Sequence, residues 1–216
     1  MPIELQRLTP LQTYSALEAG VLLIDLRPHE HFASHHIPRS ISVAFSRKSL
    51  PERVATAIPP GPSIILLSDE GGVAEAAGNA LYGIPRNPLR GIVTTGTDMW
   101  RNAGLPLATL PRMSAATLRQ RLNVSSDELA LIDVREPFEW ELGYIDGSLL
   151  IPLGEIWQRA GSLDPRKETI ALCQEGLRSS TAASILLHHN FPMVSNVPGG
   201  MGSWLDAAYP TVRPPH

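Results

Sequence analysis

The chain has 216 residues, enough for one large domain or for two of about 100 residues each. Its 43% hydrophobic and 18% charged content suits a packed globular protein, and a net charge of −3 with scattered arginines argues against a polyanion partner such as nucleic acid. No apolar run reaches the roughly 18 residues of a membrane span, Met1-Pro2-Ile3-Glu4-Leu5-Gln6-Arg7 lacks a secretory signal pattern, and one cysteine excludes an internal disulfide framework, so a cytoplasmic protein with no membrane association is expected.

The first strand signal is the apolar run Leu23-Ile24-Asp25-Leu26-Arg27. A histidine-rich stretch follows, with His29, His31, His35 and His36. These fit a surface loop better than a metal site, because zinc wants a defined ligand spacing and usually cysteine; no metal and no cofactor are expected. A second buried run, Ile64-Ile65-Leu66-Leu67, leads into Ser68-Asp69-Glu70-Gly71. Val93-Thr94-Thr95-Gly96 and Trp100 come next.

Beyond the prolines Pro106 and Pro111 the pattern starts again. Leu131-Ile132-Asp133-Val134-Arg135 repeats the first run at a constant offset that also pairs Trp140 with Phe32, Ile145 with Ile37 and Ser148 with Ser40. Thr169-Ile170-Ala171-Leu172-Cys173-Gln174-Glu175-Gly176 parallels Ile64 to Gly71. Val197-Pro198-Gly199-Gly200 with Trp204 parallels Val93 to Gly96 with Trp100. Two copies of one domain are therefore expected, over residues 1–106 and 113–216, with a linker at 107–112.

In the second copy Ser114 can cap a helix over Ala115 to Leu122. Strands are predicted at Leu129–Val134, Leu149–Ile151, Thr169–Leu172 and Met193–Val197. Helices are predicted at Pro137–Leu142, Leu153–Ala160, Leu177–His189 and Gly202–Ala208. Twenty prolines fall at turns and in the tail Arg213–His216, which is expected to fray. Alternating strands and helices predict an α/β fold for each copy, a mainly parallel sheet flanked by helices on both faces. Sites in such sheets form at the carboxyl ends of strands.

Cys173 lies at one of those ends, on a short loop aimed at a helix N-terminus. Unpartnered backbone N–H groups and the helix dipole favour negative charge there, and a thiolate is such a charge. In the first copy Ser68 stands in place of Cys173 and Val73 in place of Arg178. The fold thus does not require the thiol, which argues against a purely structural cysteine. Asp133 and Arg135 recur as Asp25 and Arg27 without the cysteine, so that pair reads as architectural, a salt bridge or a helix-capping contact. His188 and His189 suit the C-terminal dipole of their helix. Trp204 is expected in the core, Gly199 and Gly200 can shape a pocket rim, and Trp140 and Trp157 can line a cleft mouth or pack elsewhere.

The second copy resembles the rhodanese family of sulfurtransferases. The matching pieces are Asp133-Val134-Arg135-Glu136-Pro137-Phe138-Glu139, Gly143-Tyr144-Ile145-Asp146-Gly147-Ser148, Cys173 to Ser179, and Pro198-Gly199-Gly200-Met201-Gly202-Ser203-Trp204. The family usually has His-Ile-Pro-Gly-Ala where Tyr144 to Ser148 stand. The first copy is similar more loosely, through Asp25-Leu26-Arg27 and His36-Ile37-Pro38. The resemblance implies tandem rhodanese-like domains, a silent first and an active second, and a ping-pong cycle. A donor loads Cys173 as a persulfide, and an acceptor thiol, cyanide or a sulfur-accepting protein removes the sulfur.

The candidate site is catalytic Cys173 with the loop Gln174, Glu175, Gly176, Leu177, Arg178 and Ser179. Thiolate attacks S–S bonds and leaves a reactive persulfide, whose charge a cradle of N–H groups would stabilise. Gly176 permits the tight turn, and Arg178 can attract an anionic donor such as thiosulfate. Glu175 either points to solvent or discourages anionic donors. Cysteine-dependent phosphatases use a loop one residue longer between cysteine and arginine, so phosphoryl transfer is disfavoured. The loop is not the Cys-Gly-Ser-Gly type that the family associates with mercaptopyruvate, which leaves thiosulfate or a persulfide as donor. The alternative from another class is a non-enzymatic module that carries sulfur, senses oxidants or binds a protein.

Overall fold

A computed structural model describes residues 5–82 and 86–214, and the chain divides into two compact units, Met1–Thr109 and Leu110–His216. In the first unit the strands β1 (Leu22–Asp25), β2 (Ile41–Ser42), β3 (Ile64–Leu67) and β4 (Leu89–Val93) form a parallel sheet in the order β2-β1-β3-β4. Five helices accompany it: α1 (Pro10–Glu18), α2 (His29–Ser34), α3 (Leu50–Ala57), α4 (Gly71–Leu81) and α5 (Asp98–Asn102). Parallel strands covered on both faces read as continuous apolar runs, which is why Ile64 to Leu67 is buried along its whole length. Leu17 of α1 and Trp100 of α5 pack with Leu23, Ile65, Leu67 and Val93 on one face. Helix α4 packs against α3 and against β3 and β4.

The second unit repeats this plan. Its strands β5 (Leu129–Asp133), β6 (Leu149–Leu150), β7 (Glu168–Leu172) and β8 (Val194–Asn196) are parallel in the order β6-β5-β7-β8. Its helices are α6 (Ala115–Ser125), α7 (Pro137–Trp140), α8 (Leu153–Arg159), α9 (Leu177–His188) and α10 (Gly200–Asp206). Leu118, Leu129, Leu131, Ile170, Leu172, Met201 and the fully buried Trp204 form the core between the sheet and the α6–α10 layer. Helix α9 packs against α8, β7 and β8. The expected α/β sheets are thus present twice. Among the described residues no helix is long and apolar enough to cross a membrane.

Residues 107–112, read from the sequence as a linker, are paired on either side of the division. Ala108 exchanges both backbone hydrogen bonds with His36. Pro111 accepts from the Asn196 N–H, and Met113 donates to the Asn196 carbonyl. Val212 pairs with Tyr144, so the tail stays anchored to that point; Pro215 and His216 lie outside the described residues.

Element ends differ from the sequence reading where glycines and caps intervene. Helix α6 starts as expected, with the Ser114 hydroxyl accepting from the Thr117 N–H at 3.0 Å. Helix α10 starts at Gly200 rather than Gly202, because Gly199 takes a left-handed conformation (φ 73°) and serves as its N-cap. Helix α7 ends at Trp140 and not Leu142, where Gly143 (φ 131°) turns the chain.

The Asp–Arg repeat is a buried ion pair at the end of each central strand. The Arg27 Nε and Nη2 groups donate to Asp25, with Nη2 at 2.6 Å from Oδ2, and Arg135 holds Asp133 the same way at 2.7 Å. The same Nη2 groups reach the carbonyls of His35 and Gly143. Each pair thus ties a strand end to the turn that follows the next helix. Breaking a buried pair by removing one partner typically costs about 3–5 kcal/mol.

The histidine stretch requires a correction. His29 and His31 belong to helix α2 rather than a surface loop, and His36 is buried with 2% exposure. Its ring stacks on Phe32 at 4.0 Å and its Nδ1 lies 2.9 Å from the Phe32 carbonyl. Among the described residues no group of three or more His, Cys, Asp or Glu is placed to hold a metal ion.

Burial pushes the His36 ring down to about 4 from its usual 6.5, against the opposing pull of the Phe32 carbonyl. The unfolded chain therefore binds a proton between these values that the folded chain does not. Stability should fall by up to about 3 kcal/mol as pH drops from 6.5 to 4. His36→Asn should flatten that part of the profile in urea unfolding at a series of pH values; an unchanged profile would rule the ring out as its source.

Candidate active site

Strand β7 ends at Leu172, and Cys173 follows it with 1% exposure. Gly176 then adopts φ 98° and caps α9. A side chain there would be strained by the backbone, and its Cβ would press on Pro198 and Gly199. This turn brings the Gly176 N–H to 3.1 Å from Cys173 Sγ. The Ser179 hydroxyl, from the first turn of α9, lies 3.3 Å from the same sulfur.

The loop carbonyls point the other way, and each is held. The Cys173 carbonyl accepts from the Met201 N–H at 2.8 Å and the Gln174 carbonyl from the Gly202 N–H at 3.0 Å. Those donors belong to the first turn of α10, where helical N–H groups otherwise lack partners. The Glu175 carbonyl accepts from the Gly199 N–H at 3.3 Å, and the Gly176 carbonyl from Asn196 Nδ2 at 3.2 Å. With its acceptors turned outward and engaged, the loop turns the Gly176 N–H toward the sulfur.

Asn196 also fixes Ser179. Its Nδ2 is committed to the Gly176 carbonyl, so its Oδ1 faces Ser179 Oγ at 2.7 Å. The hydroxyl carries one proton and cannot give it to Asn196 and Cys173 together. While it donates to Asn196, its oxygen can accept from a Cys173 S–H. When the sulfur is a thiolate, rotation of the hydroxyl can turn the proton toward it.

Arg178 does not stand free. Its Nη1 and Nη2 donate to the two oxygens of Glu139 at 2.6 and 2.8 Å. Glu139 sits in α7 and also accepts from the Glu136 N–H at 3.0 Å. Burial would raise the Glu139 carboxyl, but its Arg178 bonds prevail and hold it below the usual range. Glu175 is exposed, as one of its two sequence readings supposes, and Gln174 and Leu177 are half-buried.

Neither Asn196 nor Glu139 is singled out by the sequence. Asn196 pairs in register with Ala171, as Ile92 does with Leu66 in the first unit, so a comparison of the copies offers one signal. Glu139 corresponds to His31. The tryptophans divide: Trp140 and Trp204 are buried, whereas Trp157 packs on His188 and His189 at the far end of α9 from Cys173. Burial lowers the His189 ring, so it gives the helix end little positive charge. A cavity of about 990 Å³ lies near the start of β5 and Lys167, at the opposite end of the sheet from Cys173, and plays no part in this site.

The backbone packing can be tested with two glycines. An alanine Cβ at Gly200 would fall inside the Cys173 carbonyl, at φ 49°, whereas at Gly202 it would meet the Gln174 oxygen at 3.4 Å. Gly200→Ala should destabilise the second unit by about 2–4 kcal/mol and Gly202→Ala by less than about 1 kcal/mol. Equal shifts in the urea midpoints would contradict the close approach of α10 to the loop.

A family model described as "Rhodanese-like domain" matches residues 9–102 and again 114–207. The Bacillus subtilis (strain 168) protein named "Putative sulfur carrier protein YrkF" is 36% identical over 97 residues, covering 45% of this chain and 52% of that protein. "Putative sulfurtransferase YtwF" of the same organism is 36% identical over 95 residues, covering 44% of this chain and 90% of that protein. The chain thus spans about half the length of the first relative. A crystal structure of a thiosulfate sulfurtransferase from Pseudomonas aeruginosa aligns over 95% of this chain and 43% of its own, at 22% identity and a TM-score of 0.43.

Proposed function

The chain belongs to the rhodanese-like family, and from that premise we propose that it is a sulfurtransferase working through a persulfide on Cys173. The observation that carries this reading is the cup around Cys173 Sγ, built from the Gly176 N–H, the Ser179 hydroxyl and the N-terminus of α9. A persulfide puts its reacting sulfur one bond beyond Sγ and carries negative charge there. Backbone donors fixed before the reaction stabilise such charge without reorganising.

The cycle has two steps. The Cys173 thiolate attacks the outer sulfur of thiosulfate or of a persulfide donor. A new S–S bond forms while the donor's own bond to that sulfur breaks, and its electron pair leaves with sulfite or with a thiolate. A thiol, cyanide or a sulfur-accepting protein then attacks the outer sulfur of the Cys173 persulfide. The Cys173 thiolate leaves, and the site is restored.

The first unit is proposed to be silent. Ser68 takes the place of the cysteine, and a serine without a base is a poor nucleophile. Its hydroxyl oxygen accepts from the Glu70 N–H at 3.1 Å. In the repeat alignment Val73, Ala74 and Ile92 replace Arg178, Ser179 and Asn196, so the supporting polar network is missing too.

Two mass measurements test these readings. After incubation with a sulfane donor, the intact protein should gain about 32 Da, one sulfur atom, which cyanide removes and Cys173→Ser abolishes. Absence of the adduct with thiosulfate, mercaptopyruvate and a persulfide alike would sink the enzymatic reading and favour a non-enzymatic module. In a Cys173→Ser background, Ser68→Cys should give no adduct, because a thiol alone lacks the cup; labelling at residue 68 would show that the missing thiol alone, and not the missing network, silences the unit.

A further inference from the structure

The loop Cys173–Ser179 contains one cation, Arg178, and one exposed carboxylate, Glu175. Arg178 is 32% exposed at its side chain and Glu139 14%, and their two-point contact engages both outer guanidinium nitrogens. Glu136, at the N-cap of α7, adds a further negative charge that acts on Arg178. The nearby Arg135 is likewise held by Asp133. Around the loop the single charge of Arg178 therefore meets Glu139 and Glu136 before the sulfur itself ionises.

Such a rim opposes a small dianion. Thiosulfate would bring two negative charges to a guanidinium already committed to Glu139, and sulfite would leave as a dianion through the same field. A persulfide donor is attacked in its protonated form RS–SH, which brings no charge on the reacting sulfur, and it releases a singly charged thiolate. Both steps balance: Cys173–S⁻ and RS–SH give Cys173–S–SH and RS⁻, whereas Cys173–S⁻ and thiosulfate give Cys173–S–S⁻ and sulfite.

We infer that the Glu139–Arg178 pair closes the site to small dianions and selects an uncharged or cationic persulfide as the sulfur donor. This rests on the sulfurtransferase reading above and names its substrate class. Glu139 is here a specificity-determining residue that acts through Arg178, since it makes no contact with Cys173 Sγ.

The test compares donors of different charge on the full-length protein. Loading of Cys173 is followed by quenched intact mass with cysteamine persulfide (cationic), 3-mercaptopropionate persulfide (anionic) and thiosulfate. The wild type should load from the cationic persulfide about tenfold faster than from the anionic one, and the gap should narrow as salt rises from about 0.05 to 0.5 M. Glu139→Gln keeps an acceptor for the Glu136 N–H but frees the Arg178 charge. It should raise kcat/KM for thiosulfate about tenfold and change that for cysteamine persulfide by less than about twofold. Equal loading from the two persulfides, or an unchanged ratio of thiosulfate to cysteamine persulfide in Glu139→Gln, would overturn the inference. If the variant does not fold, the wild-type donor series decides alone. Failure of every donor to load Cys173 has a separate meaning, because it removes the sulfurtransferase reading itself.

Discussion

The geometry of the site depends on where four successive carbonyls point. Those of Cys173, Gln174, Glu175 and Gly176 all turn away from the sulfur and find donors in Met201, Gly202, Gly199 and Asn196. A tight loop with its acceptors directed outward can direct N–H donors inward. The helix that supplies two of the outer donors gains as well, since its first-turn N–H groups would otherwise be unsatisfied. Loop and α10 therefore complete each other, and the left-handed Gly199 and Gly200 let their backbones come close enough to do so.

The first unit isolates this arrangement from the fold that carries it. Both sheets have the same strand order, both central strands end in an Asp–Arg pair, and both buried indoles donate to a proline carbonyl, Trp100 to Pro106 and Trp204 to Pro210. In the first unit the loop is shorter. Helix α4 begins directly after Glu70, whereas α9 waits for the left-handed Gly176. The Asp69 carboxylate occupies the space beside Gly96 and lies 3.5 Å from His31. The same scaffold thus carries an N–H cup around sulfur in one unit and an acidic loop in the other.

Much of this was legible in the sequence because it is local or repeated. Runs such as Ile64 to Leu67 mark buried parallel strands by composition alone, and the repeat locates Cys173 at the end of one of them. The remainder depends on contacts between distant elements. Glu139 acquires meaning only when α7 is laid beside the first turn of α9. Asn196 looks like a strand residue until the register sets it beside Ala171, under the loop. His36 reads as one of a polar cluster, yet burial and the Phe32 ring make it part of the core. The start of α10 is hidden from the sequence because glycine lowers helix propensity, while here Gly199 forms its cap and Gly200 opens its first turn.

One continuous chain of contacts joins the scaffold to the charge of the site. Asp133 holds Arg135, Arg135 reaches the carbonyls of Glu139 and Gly143, and the Glu139 carboxylate grips Arg178. The Asp–Arg pair therefore positions α7, and α7 in turn decides which side chain faces the loop. In the first unit Arg27 reaches the His35 carbonyl instead, and the Asp69 carboxylate lies 3.5 Å from His31 and 4.0 Å from Arg27. A substitution at Glu139 changes the charge beside Arg178 and leaves the Asp133–Arg135 contacts in place. If Glu139 sets the donor, selectivity varies independently of the fold, because the groups that stabilise the sheet and the group that sets the charge meet through one helix but are different residues.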